Sequence, residues 1–330
     1  MKFSRFCSAL VRRVLAPVLS LTLVLPLIFL TAACDGGDDA SGRARVTVVA
    51  TIFPAYDAAR SICKDIEGVQ VKLLLRPGTE SHTYDPTPQD IALISSCDLF
   101  VCTGGESDEW ARTITEGAEM QGTVLAMLDC VDPLSESDMD GLPGSEDHTD
   151  HGHGYDEHVW TSPVNMIKIC QAVAESLCKA DPGNAGSYRA NLDAHTKELT
   201  ALDDDFRSLF EKAGHVTLVF GDRFPFRYFA EEYSLEWYAA FPGCAENTEP
   251  SGEIVTFLAD KIVQDNIKTV FYIELSTHRI ADTLAAETGC STAMLHSVHN
   301  VTADEFERGE TYLSLMRNNL ETLREYCGNG

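Results

Sequence analysis

The 330-residue chain contains no CxxC pair, no HExxH and no GxSxG. The first absence argues against a structural zinc knuckle or a thioredoxin-like redox site. The other two leave a metallohydrolase or serine hydrolase without its usual motif. Basic residues are scarce. Lys and Arg number 25 against 51 Asp and Glu, for a formal net charge of -26. Such a surface repels nucleic acid and anionic lipid and attracts cations. It serves plain solubility equally well, so charge alone does not decide between these roles.

Four of the few cations, Lys2, Arg5, Arg12 and Arg13, stand at the amino terminus with no acidic residue among them. An apolar run over 14–30 follows, then Thr31-Ala32-Ala33 and Cys34. That order reads as a secretory signal over 1–33. Pro17 and Pro26 interrupt the run and argue against a retained span. Cleavage before Cys34 frees its thiol for acylation, so a lipid would hold the protein to the membrane from outside the cytoplasm. Loss of the four basic residues takes the net charge from -26 to -30. Of the eleven cysteines, nine remain after Cys7 is removed and Cys34 is acylated. Export makes disulfides possible. An odd count leaves at least one thiol unpaired in a monomer, and a buried free thiol is the ordinary alternative for most of them.

Residues 34–43 read as a short polar tether. Beyond them strand and helix signals alternate. Runs at 46–50, 71–75, 98–102 and 123–127 read as strands, with a helix opening at Pro88. The stretch 135–157 breaks the pattern: it is acidic and glycine-rich, carries His148, His151 and His153, and reads as a loop. Over 184–212, Tyr188, Leu192, His195, Leu199, Leu202, Phe206 and Leu209 recur in steps of four and three. That places them on one stripe of a helix roughly 40 Å long. Strands then return at 216–220, 235–241, 269–274 and 292–295. Helices are expected at 226–233, 251–264, 277–288 and 303–326. The fold class is therefore α/β, with an N-terminal lobe (44–182), a linking helix (183–214) and a C-terminal lobe (215–330). Each lobe is a largely parallel sheet with flanking helices. A ligand belongs in the cleft between them, at the carboxyl ends of strands.

Three histidines fall at loop or strand-end positions of this layout: His82, His158 in Glu157-His158-Val159-Trp160, and His296 after the last strand. Neutral imidazole is a common ligand for zinc and similar metals. A lone histidine is more often a surface or packing residue; their common placement at the cleft edge is what favours a metal site.

The chain resembles the zinc and manganese solute-binding lipoproteins of ABC importers, the metal-specific group with a rigid helical linker. The likeness rests on Ile52-Phe53-Pro54, Pro77-Gly78, and His82-Thr83-Tyr84-Asp85-Pro86-Thr87-Pro88. It continues through Thr103-Gly104-Gly105, His158-Val159-Trp160, Thr248-Glu249-Pro250-Ser251 and the segment 311–320. The resemblance implies metal ligands at His82 and His158, and an auxiliary metal-collecting loop at His148, His151 and His153. It also implies partnership with a permease and its ATPase, no catalysis, and a monomer. In two places the chain departs from the pattern. Where the family usually has a third histidine, this chain has Asp222-Arg223, and His296 stands where relatives often carry an acidic ligand. The expectation is an exchange, with His296 as the third imidazole and His299 standing aside. Asp222 would be either an oxygen ligand or a salt-bridge partner of Arg223 or Arg227. Glu249 or water is the alternative fourth ligand. Cys244, in a turn after one C-lobe strand, and Cys290, before another, are the disulfide candidates, since relatives can carry a disulfide in this lobe. Zinc is the expected ion, with manganese as the alternative because oxygen ligands favour it. A surface adhesin is the competing function from another class.

Overall fold

The computed structural model describes residues 45–79, 84–117, 120–135, 154–243 and 250–328. The signal, the tether, Cys34, His82, the loop histidines His148, His151 and His153, and Cys244 lie outside them.

The N-lobe runs β1 (Val46–Ala50), α1 (Phe53–Ile62), β2 (Val69–Leu73), α2 (Pro88–Ser96), β3 (Leu99–Cys102), α3 (Glu109–Gly117), β4 (Thr123–Ala126) and α4 (Pro163–Ala180). The linking helix α5 covers Ala185–Ala213. The C-lobe runs β5 (Thr217–Phe224), α6 (Arg227–Tyr233), β6 (Glu236–Pro242), α7 (Gly252–Gln264), β7 (Thr269–Tyr272), α8 (Arg279–Thr288), β8 (Ser291–Met294), α9 (Ala303–Glu307) and α10 (Tyr312–Gly328). Local chemistry starts the helices. Thr87 and Asp90 cap α2 reciprocally around Pro88, and Ser162 and Ser251 accept backbone N–H groups at the starts of α4 and α7.

Both sheets are wholly parallel, in the orders β2-β1-β3-β4 and β6-β5-β7-β8. Their strands are apolar on both faces, as buried parallel strands must be. Side chains alternate between two cores, following the period of two. Val48, Ala50, Leu99 and Val101 face an inner core, together with Leu218, Phe220 and Phe271 of the other lobe and the stripe of α5. Val49, Phe100 and Cys102 face outward to Ile94 of α2 and Ala111 of α3. Val219 and Val270 do the same toward α7 and α8. One apolar core thus runs through both lobes and the helix between them. In α5, Tyr188, His195, Leu199, Leu202 and Phe206 are buried, as the stripe predicts.

One expectation changes. The closing helix is two helices: Gly309 adopts φ of 74°, a left-handed turn that ends α9. The Thr311 and Ser314 side chains then accept each other's backbone N–H groups and start α10. Of the proposed bridge partners, Cys244 lies outside the described residues. Gly243, next to Cys244, follows the carboxyl end of β6 at one edge of its sheet. Cys290 precedes the amino end of β8 at the opposite edge and carries a free thiol.

Candidate metal centre

The site lies where the lobes meet. A small cavity of about 30 Å³ is bounded by Thr79 and His158 from the N-lobe and by Arg223, Glu274, His299 and Asn300 from the C-lobe. A water needs about 10–15 Å³ by the same measure, so the space suits one ion.

His158 is built by the turn before α4 and is 1% exposed. The Asp156 carboxylate accepts its backbone N–H at 2.8 Å and lies 3.2 Å from Nδ1. A carboxylate behind Nδ1 fixes the ring's orientation, as carboxylates do behind metal-binding imidazoles. Gly243 packs against this ring: a Cβ there would meet His158 Cε1 at 3.2 Å. The ring of His299 lies edge-on to that of His158, with centroids 5.3 Å apart. Buried Trp160 backs both rings, at 5.3 and 5.0 Å. Its Nε1 donates to Ser297 O at 2.9 Å, joining the lobes beside the cavity.

His299, not His296, therefore stands at the cavity, contrary to the expectation from sequence. The cause is local. Val298 takes φ of 62°, rare for a β-branched residue, and turns the chain between the two histidines. His296 is 2% exposed and points into the protein. Its Nδ1 accepts the Val298 N–H at 2.9 Å, and its Nε2 is 3.7 Å from Glu305. Burial disfavours a charge on this ring, but Glu274 and Glu305 outweigh it and hold the pKa above its ordinary value. Glu274 accepts both the N–H and the hydroxyl of Ser297, at 2.6 and 2.5 Å. The left-handed turn is thus tied down on both sides, as strained backbone at functional sites usually is.

Asp222 does not bound the cavity. Its carboxylate accepts the Arg223 N–H at 2.8 Å and the Ile273 N–H at 3.4 Å, tying β5 to the end of β7. The register slips between Phe220 and Arg223, a bulge that carries Arg223 to the cavity wall. A Cβ on Gly221 in this bulge would meet the Ala281 backbone at 2.4 Å, so α8 fixes its shape. A guanidinium has no lone pair to offer a metal. Among the described residues no three His, Cys, Asp or Glu side chains converge as a metal site, and His82 lies outside those residues. The acidic loop is rooted nearby. Ser135 pairs with Tyr155, and Tyr228 of α6 accepts from Leu134 N–H while donating to Asp156 O.

Residues 48–326 match the family model of the ZnuA zinc-uptake complex component A, periplasmic. This chain belongs to that family. Its members are extracytoplasmic metal-binding components of uptake systems and not enzymes. The high-affinity zinc uptake system protein ZnuA of Bacillus subtilis is 30% identical over 315 residues, covering 92% of this chain and 95% of that one. The zinc-binding lipoprotein AdcA of Streptococcus pneumoniae is 27% identical over 93% of this chain, which spans 60% of that longer protein. The Zn(II)-bound ZnuA-like domain of pneumococcal AdcA superposes with a TM-score of 0.70 at 25% identity, covering 86% of this chain and 98% of that domain. Family membership agrees with the export signal and with a role in ABC-type import.

Proposed function

We propose that the chain captures zinc in this cavity outside the cytoplasm and delivers it to the permease of an ABC importer driven by its ATPase, while a lipid on Cys34 holds it at the membrane. The observation that carries the reading is the facing pair His158 and His299, one from each lobe, around a space of ion size. His82 is the third imidazole in this reading, because it follows the turn 76–79 whose Thr79 bounds the cavity. Imidazole nitrogen favours zinc over manganese. His296 and Asp222 shape the site from behind, through the backbone groups that they hold. The acidic loop with His148, His151 and His153 collects ions at lower affinity.

The test is a competition titration with zinc and, in parallel, manganese. His158→Ala and His299→Ala should each lower zinc affinity at least tenfold, about 1.4 kcal/mol. His296→Ala should cost less affinity and more stability. Wild-type affinity in His299→Ala would overturn the ligand assignment.

A further inference from the structure

Asn300 follows His299 and is 3% exposed, yet no amide is needed there to fill an apolar core. All of its hydrogen-bonding capacity toward the protein is directed to backbone. Its Nδ2 donates across the cleft to Arg76 O at 3.0 Å and Thr79 O at 2.7 Å. Its Oδ1 accepts the Val301 N–H at 2.8 Å. Beside it the Gly78 N–H donates to Val301 O at 2.6 Å. Three hydrogen bonds therefore run from the segment 300–301 to one short N-lobe turn. That turn is itself well defined: Thr79 donates to Arg76 O from both its N–H and its hydroxyl, and Gly78 takes φ of 81°, which favours glycine. Thr79 and Asn300 both bound the cavity.

The consequence is geometric. Part of the cavity wall is a turn of one lobe fastened to a segment of the other, so parting that contact widens the way out for an ion held between the two histidine rings. We propose that Asn300 is a positioning residue, a clasp across the cleft that sets how fast the bound ion leaves. It makes no bond to the ion. The inference rests on the cavity being the zinc site. It extends that reading from which residues bind to which residue controls release. The strongly apolar core shared by the lobes leaves little freedom for wholesale opening. A local clasp beside the cavity is the smaller motion.

The experiment compares the full mature chain with Asn300→Asp, which keeps the shape but sets a carboxylate against two carbonyl oxygens, and with Asn300→Ser, which keeps one donor. Zinc-loaded protein is mixed with excess chromophoric chelator and release is followed in time. Hydrogen exchange at the Gly78 amide is followed in the zinc-free protein. Asn300→Asp should bind one zinc and release it about tenfold faster or more, with Asn300→Ser between it and wild type. One decade corresponds to about 1.4 kcal/mol, the scale of one or two net hydrogen bonds. Exchange at Gly78 should accelerate in the same order, and melting of the zinc-free protein should change little. Release at the wild-type rate with Gly78 unprotected would overturn the clasp. If Asn300→Asp fails to fold, the serine variant decides by the same two readouts. Failure of the ligand reading looks different: His299→Ala then keeps tight zinc, and the clasp is judged by exchange at Gly78.

Discussion

The two lobes carry sheets of one strand order, yet they reach the cavity by different means. The N-lobe sheet keeps its register throughout, and His158 comes from a turn that precedes α4, not from a strand end. In the C-lobe the register slips in β5, and β8 is followed by a left-handed valine. These two irregularities bring Arg223 and His299 to the wall. The cores differ as well. Around β5 and α6, Phe220, Phe224, Phe226 and Phe229 pack edge-on or tilted against one another, while the N-lobe strands pack mostly Val, Leu and Ala. A repeated topology supplies two platforms. What stands on each is decided by local departures from regularity, which the repeat does not share.

The largest effect that would sharpen this contrast concerns the N-lobe support. His158 leans on the Asp156 carboxylate, whereas the C-lobe turn leans on Glu274 through Ser297. Asp156→Asn should lower zinc affinity about 10- to 100-fold, the usual cost of removing a carboxylate behind a metal-binding imidazole. Calorimetry with unchanged affinity would mean that the turn itself, and not its carboxylate, orients the ring.

A smaller effect separates the lobes by pH. In the N-lobe, burial raises Asp108 to about 6, against the pull of the Thr103 and Gly104 N–H groups. A raised acid contributes stability below its unfolded value of 3.8 that is lost as pH rises through about 6. In the C-lobe, the His296 ring and the Thr302 N–H hold Glu305 at about 2. A lowered acid contributes stability above 4.5 that is lost as pH falls through about 2. Urea melts of zinc-free protein should show Asp108→Asn gaining on the order of 1–3 kcal/mol at pH 8 and little at pH 3.5. Glu305→Gln should lose stability at pH 7, by less because the group is partly solvated, and nothing near pH 2. The same pH trend in both variants would abolish the distinction.

The smallest effect belongs to the acidic loop. Deleting 145–154 should leave tight zinc binding intact and remove only weaker additional binding. Loss of the tight site in calorimetry would make the loop part of the centre.

The parallel strands and the linking helix were legible because each writes a local pattern: apolar runs, and a stripe in steps of three and four. The choice between His296 and His299 was not. Both follow β8, and which ring faces the cavity depends on a positive φ at Val298, a residue type that signals the opposite. Arg223 was hidden likewise, since one extra residue in β5 reverses which side chain points where. The break between α9 and α10 was written in Gly309, but a long apolar periodicity masked it.

Asp57 is wholly buried in the N-lobe and satisfies its carboxylate on Arg60 at 2.5 Å and on the Tyr312 N–H at 2.8 Å, 255 residues later. Arg60 in turn donates to Glu310 O. During synthesis, then, the first lobe emerges with a charged group whose second partner has not yet been made. The buried carboxylate is fully satisfied only once the end of the chain is in place. The two ends of the described chain thus share one buried charge, and a truncation that removes α10 would strand it inside the first lobe.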